Sequence, residues 1–99
     1  MLETLTYESF VPLLNQRFTI GDGRSTLDAE LVEVKLSGGS AQITRQPFSL
    51  LFLTSAPQTC RQGIFSVAHA SIGVIEVFLV PVGPDPKVPG SMVFQAVFA

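Results

Sequence analysis

The sequence predicts an all-β fold: a small six-stranded antiparallel β-sandwich or barrel with one short N-terminal helix. Two observations favour this class. Most of the 99 residues lie in apolar runs with the alternation of strands, and glycine-rich or proline-rich turns separate these runs. Only one early segment has the i, i+3, i+4 apolar spacing of an amphipathic helix. No repeat of fixed period is visible, so solenoids and propellers are not expected.

The helix is expected over residues 6–15. Thr6 is a suitable residue to cap the free backbone amides at its start. The apolar residues of the segment share one side: Phe10, Leu13 and Leu14. Pro12 removes one backbone hydrogen bond and clashes one turn back, so the helix should be short and irregular. Asn15 tolerates a positive φ and is therefore expected to end it in the left-handed conformation.

Three strands are expected in the first half of the chain, over residues 17–20, 27–36 and 47–54. A turn at 21–25 follows the first, since two glycines there flank an aspartate. In 27–36 the apolar residues change parity, from Leu27, Ala29 and Leu31 to Val32, Val34 and Leu36. This change predicts a β-bulge or a strand that crosses between sheets. Both faces of 47–54 are largely apolar, so this strand is expected to be central and covered on both faces.

The second half reads as long antiparallel strands. Residues 63–69 and 73–82 predict a hairpin with a turn near Ala70-Ser71. The segment 83–90 contains three prolines and cannot pair in a sheet, because proline lacks the backbone donor. A last strand follows over 91–98. One of its faces carries Met92, Phe94, Ala96 and Phe98, and the other carries Val93, Gln95 and Val97.

Length and composition bound the class of protein. A chain of 99 residues is one domain, residues 1–99, because a second core would have too little left to bury. A hydrophobic content of 46% with a net charge of −2 excludes global disorder. Eight acidic residues against six basic ones leave no basic excess to neutralise phosphates, so nucleic acid is not an expected partner.

The N-terminal residues lack the basic, apolar and small-residue regions of a secretory signal. Polar residues, glycines and a proline interrupt the longest weakly charged stretch, residues 62–84, so no membrane span is expected. A single cysteine, Cys60, forms no internal disulfide. We expect a cytoplasmic protein that does not bind a membrane.

Few residues are suited to catalysis. His69 is the only imidazole, and we expect it to bond backbone groups near a strand end; a general base or a ligand is the alternative. Cys60 and His69 offer two members of a nucleophile pair without an orienting third group. One Cys and one His do not supply the four ligands of a structural zinc site. We therefore predict no catalytic residues, no metal and no cofactor.

Two further patterns are weak evidence for a binding or catalytic site. The run at residues 21–25 superficially resembles a phosphate-binding loop, but it lacks the Lys-Ser/Thr ending and a following helix. Glu30 and Glu33 are expected on opposite faces of their strand, so their carboxylates should not converge.

Glu76 stands out because it lies in an apolar strand, on the same parity as Val74, Phe78 and Val80. A carboxylate buried there without a partner would be costly. An exposed charge that discourages stacking of sheets is the favoured interpretation. A buried functional acid and an interface ion pair are the alternatives.

A pattern of residues extends over nearly the whole chain. It comprises Phe10-Val11-Pro12-Leu13 with Phe18, residues 45–52, residues 62–65, His69, Gly73, residues 76–83 and residues 94–98. This pattern resembles a family of small bacterial proteins described as a domain of unknown function. Gln95 departs from the acidic residue that is usual there, and Asn15 stands where the family more often has glycine. The resemblance implies one compact domain and gives no catalytic residues to transfer. Its members are often encoded beside tail-collar-like fibre proteins, which implies a structural or assembly role.

The apolar excess favours a non-enzymatic protein-protein interaction or assembly module, acting on a protein partner or as a homo-oligomer. One core of this size cannot cover both faces of several apolar strands. The candidate interface residues are Glu76, Phe78, Met92, Phe94 and Phe98. A small-ligand carrier is the alternative, with a barrel interior lined by Phe48, Phe52, Phe65 and Phe78; a filled core would count against it. An enzyme using Cys60, His69 or Glu76 ranks third.

Overall fold

The structure, a computed structural model, describes residues 6–21, 23, 26–36, 47–55 and 62–98. Within these ranges one helix and one 3-10 turn precede six antiparallel strands. The helix α1 is Tyr7–Phe10, and the 3-10 turn is Val11–Leu13. The strands are β1 Arg17–Gly21, β2 Thr26–Leu36, β3 Phe48–Ser55, β4 Gly63–His69, β5 Gly73–Gly83 and β6 Ser91–Phe98. They close into a barrel in the order β1-β2-β3-β6-β5-β4, which confirms the predicted fold class.

The helical segment is short and irregular, as predicted. Thr6 precedes α1, and its N–H donates to Ser9 Oγ at 3.0 Å. Asn15 ends the segment with a φ of +70°, and its N–H donates to the Leu31 carbonyl of β2 at 2.6 Å. Phe10 and Leu13 are buried as expected, but Leu14 is exposed. The change to 3-10 geometry explains the difference, since a tighter turn moves the residue after it off the apolar side.

A β-bulge interrupts the pairing of β2 with β3 between Leu31 and Glu33, where the change of parity predicted a bulge or a strand that crosses between sheets. The bulge corrects the placement of the two glutamates. Glu30 lies opposite Leu53 and Glu33 opposite Leu51, and both glutamates are exposed. Residues 51 and 53 share a face of β3, so the extra residue of the bulge brings both glutamates to the outside of the barrel.

The barrel interior is filled with aromatic and aliphatic side chains. The largest fully buried residues include Phe10, Phe18, Phe48 and Phe52. The rings of Phe48 and Phe98 stack at 4.7 Å, and Phe10 closes this end of the barrel at 5.7 Å from Phe48. Because α1 supplies Phe10, the short helix acts as a plug for one barrel end. Pairs of aromatic rings in such contact stabilise a core beyond the area they bury.

The strand β3 is central, with β2 on one side and β6 on the other. Its inward residues are buried: Phe48, Leu50, Phe52 and Thr54. The prediction that both faces of β3 are covered is wrong for its outer face, because the outward residues Leu51 and Leu53 are only half-buried. A closed barrel has one inside, which accounts for the difference.

Candidate functional site: an apolar outer surface

The strands β4, β5 and β6 carry five exposed large apolar side chains, one of which is Val82 near the end of β5. Ile64 and Phe78 lie directly opposite each other on β4 and β5, and they are 63% and 48% exposed. Val74 on β5 and Val97 on β6 are 70% and 63% exposed. Phe78 and Val97 each lie one residue beyond the pair Leu79–Ala96, so β5 and β6 bring them to the same region. We call Ile64, Val74, Phe78 and Val97 the outer apolar surface.

The alternation of strands explains why apolar residues lie outside here. The inward residues of β5 are Ile75, Val77 and Leu79, all buried, so the residues between them must face outward. A soluble protein ordinarily places polar residues on the outer face of an antiparallel sheet. Contiguous exposed apolar residues on such a face are typical of protein contact surfaces.

Glu76 is exposed and lies between Val74 and Phe78 on the outer face of β5. This position agrees with the favoured interpretation of an exposed charge. Glu76 is the only Asp, Glu, Lys or Arg in β4, β5 and β6. Its cross-strand neighbour is Ser66, whose hydroxyl donates to the Gly21 carbonyl at 3.3 Å. The single proton of that hydroxyl is therefore directed away from the Glu76 carboxylate.

The structure separates the five predicted interface residues. Glu76 and Phe78 lie on the outer face, and Met92 is half-buried and packs against the core. Phe94 and Phe98 are core residues, 4% and 6% exposed, because β6 directs its even-numbered positions into the barrel. Their burial removes them from the candidate surface and corrects the prediction at these positions.

The prediction missed three surface residues, Ile64, Val74 and Val97. All three occupy the strand face opposite the buried one, so the alternation carried the signal. Because both faces of these strands are largely apolar, the sequence did not show which face points toward the core.

His69 has a structural role at the end of β4. Its Nδ1 accepts the N–H of Ser71 at 2.9 Å, within the hairpin turn. Because Nδ1 accepts, Nε2 carries the proton and donates to Gln16 Oε1 at 2.8 Å. The ring also lies 4.7 Å from that of Phe18. Both nitrogens are used, so this arrangement leaves no free ring nitrogen to act as a base or ligand. The backbone contact agrees with the expectation for this residue.

A reactive thiol and a cluster of metal ligands are the remaining elements of a catalytic or metal site. Cys60 lies outside the described residues. In the part of the chain that the structure describes, no three His, Cys, Asp or Glu residues are grouped to hold a metal ion. No helix within the described ranges is long and apolar enough to cross a membrane.

The predicted carrier cavity is occupied by side chains. Phe48 and Phe52 are buried and packed in the interior, and Phe65 is packed against the core. Phe78 faces outward, which corrects its predicted place in a cavity lining. An open cleft of about 790 Å³ lies on the outside of the barrel, and its charged lining residues are Arg17, Asp28 and Glu30. The cleft is open to solvent and its lining combines polar with apolar residues, unlike the mostly apolar, enclosed sites that carry small ligands.

Comparison with protein families places this barrel in a known group. A family described as "Domain of unknown function (DUF6916)" matches residues 5–98, and the chain belongs to that family. No curated protein and no solved structure matches the chain. The family description names no activity, ligand or partner.

Proposed function

We propose that this chain is a non-enzymatic protein-protein interaction module that binds through its outer apolar surface. The observation that carries the proposal is the exposure of Ile64, Phe78 and Val97, which share one side of a barrel whose core is already filled. Burying apolar area contributes about 25 cal/mol per Å², so covering this surface favours association. The partner is a protein, either another chain or a second copy in a homo-oligomer.

We also propose the process in which the protein acts and its cellular compartment. The resemblance to small bacterial proteins encoded beside tail-collar-like fibre proteins supports a role in assembling a fibre-like structure, and the compartment that we propose is the cytoplasm. An adaptor for such an assembly needs a rigid scaffold and an apolar contact surface, and it needs no catalytic group. The filled barrel with one apolar outer side meets these two requirements. The small-ligand carrier receives no support from the filled interior.

Light scattering after size exclusion, over a concentration series, tests the self-association form of the proposal. The double variant Ile64→Thr/Val97→Thr removes apolar contact area and keeps β-branched residues in both strands. We expect it to shift any dimerisation to higher concentration. Thr19→Val is the matched control, because Thr19 is an exposed outward residue of β1, which has strand partners on both sides.

Partner capture tests the other form. Wild-type and Thr19→Val chains should retain the same partner from the cells that produce the protein, and the double variant should lose it. A wild-type chain that stays monomeric at every concentration and retains no partner contradicts the proposed function.

A further inference from the structure

The outer apolar surface surrounds one charged side chain. Glu76 is exposed and lies between Val74 and Phe78 on β5. Its cross-strand neighbour is Ser66, whose hydroxyl donates to the Gly21 carbonyl. A molecule that covers the surface therefore also covers this carboxylate. Removing a carboxylate from water is costly unless the covering molecule supplies an opposite charge or hydrogen-bond donors.

The Lys and Arg residues that the structure describes lie on other parts of the molecule. Arg17 of β1 lies opposite Glu30 of β2, Lys35 of β2 lies opposite Ser49 of β3, and Lys87 lies between β5 and β6. The strands β4, β5 and β6 contain no Lys or Arg. Within the described ranges the surface is thus apolar with one negative charge, and it is complementary to an apolar partner with one positive charge.

A second copy of the same surface does not supply that charge. It would bring the same four apolar side chains and a second Glu76, and none of its three strands carries a cation. Face-to-face packing of two copies would place each Glu76 against apolar side chains or against the other carboxylate. Both arrangements are unfavourable, because they bury a charge without a counter-charge. A partner of different sequence fits the surface better.

The geometry of a sheet face favours a helix as the contacting element. Side chains project from the face, whereas the backbone N–H and C=O groups lie in the plane of the sheet and point to neighbouring strands. An extended segment on this face would bury its own backbone groups over Val74 and Phe78 without hydrogen-bond partners. A helix pairs its backbone internally, and helices commonly cover the faces of sheets. The chain's own α1 has four residues and buries Phe10 in the core, so another chain has to provide the helix.

The spacing along β5 also matches a helix. Val74, Glu76 and Phe78 follow one another on the outer face at every second residue, which is about 6.7 Å in a strand. Residues i and i+4 of an α-helix lie on one side at a rise of about 6 Å. A helix along β5 can therefore place one residue over each of the three. The matching stripe of the helix is apolar, basic and apolar.

We propose that the outer apolar surface binds an amphipathic helix of a different protein, with a Lys or Arg at the centre of the apolar stripe and opposite Glu76. The apolar contacts with Ile64, Phe78 and Val97 supply affinity, and the central ion pair selects the partner. Glu76 also disfavours burial of the surface against a second copy. The inference rests on the proposed function and specifies one partner class for it.

Titration of the full chain, labelled with ¹⁵N, with a helical peptide tests the inference. The probe is an alanine-based peptide of about 18 residues with blocked ends, long enough to form a helix in isolation. One stripe carries Leu, Lys, Leu and Leu at i, i+4, i+7 and i+11, and the opposite side carries one Glu. The control peptide exchanges the Lys and the Glu, so composition, net charge and number of Leu residues are equal.

We expect the Lys-stripe peptide to shift amide resonances of β4, β5 and β6. An exposed ion pair in place of a like-charge contact implies that it binds about threefold to tenfold more tightly than the control peptide. The variant Glu76→Lys should fold as wild type, because Glu76 is exposed, and should prefer the control peptide by a similar factor.

Glu33→Lys is the matched variant. It makes the same change of charge at an exposed residue of β2, which is three strands from β5 in either direction around the barrel. It should keep the wild-type preference for the Lys-stripe peptide. Three results overturn the inference: no shifts with either peptide, shifts that map away from β4, β5 and β6, or a preference that Glu76→Lys leaves unchanged or alters no more than Glu33→Lys does.

Failure of the inference is distinguishable from failure of the proposed function. A protein partner that is lost in Ile64→Thr/Val97→Thr but unaffected by Glu76→Lys keeps the outer apolar surface as a contact site and rejects the basic helix. Absence of any protein partner and of self-association rejects the proposed function itself.

Discussion

Ile64 and Phe78 form a cross-strand pair on the outside of the barrel, where both side chains are about half exposed or more. On the inside of the same two strands, Val67 pairs with Ile75 and both are buried. The hairpin of β4 and β5 is therefore apolar on two faces, and the barrel core covers one of them. The second face is the basis of the proposed function.

We predict that Phe98→Ala lowers the free energy of unfolding by about 3–5 kcal/mol, because it removes a buried ring that stacks on Phe48. Val97→Ala changes only an exposed residue of the same strand and should cost less than about 1 kcal/mol. Urea unfolding of both variants measures the difference. Equal losses would show that the assignment of inner and outer faces in β6 is incorrect.

We predict that His69→Ala lowers the free energy of unfolding by about 1–2 kcal/mol, through loss of the bonds to Ser71 and Gln16. Gln16→Ala should cost less, since it breaks only one of these bonds. A double-mutant cycle on the two residues should give a coupling of about 0.5–1 kcal/mol. A coupling of zero would mean that the Nε2 contact contributes nothing in solution.

We predict that Asn15→Gly leaves stability nearly unchanged, whereas Asn15→Val costs at least about 1 kcal/mol, because a β-branched residue resists the left-handed conformation. Thermal unfolding compares the variants. If Val is tolerated as well as Gly, the φ of +70° is not maintained in solution.

We predict that Glu76→Val promotes self-association, because Glu76 is exposed and is the only charged residue of β4, β5 and β6, whose outer face is otherwise largely apolar. Light scattering should show a mass that rises with concentration, more steeply than for wild type. Thr19→Val adds a similar apolar residue to a strand paired on both sides and should behave as wild type. A Glu76→Val chain no more associated than Thr19→Val argues against the role of this charge.

The sequence predicts the strands and turns well, because their signals are local. Prolines and glycines mark the ends of β5, and the change of parity in residues 27–36 marks the bulge of β2. The strand face that points inward is decided by distant contacts. In β6 both faces are apolar, and only packing against Phe48 and Phe10 selects the face with Phe94 and Phe98. The candidate surface was therefore predicted at Phe78 but not at Ile64, Val74 and Val97.

The bulge of β2 is a second feature whose effect on side-chain direction does not follow from local alternation. Glu30 and Glu33 are three positions apart, so the simple alternation of a regular strand places them on opposite faces. One extra residue between Leu31 and Glu33 reverses that result. Its location depends on the pairing with β3, which lies far along the chain.

Site-specific photo-crosslinking in the cells that make the protein tests the central claim most directly. A photoreactive amino acid replaces Ile64 or Val97 on the outer apolar surface, and the exposed Thr19 of β1, which lies opposite Ala68 of β4, serves as the control. We predict discrete protein adducts at 64 and 97, with another chain or with a second copy, and none at 19. Absence of adducts at 64 and 97, or equal adducts at all three positions, would contradict the assignment of this surface as a protein contact site.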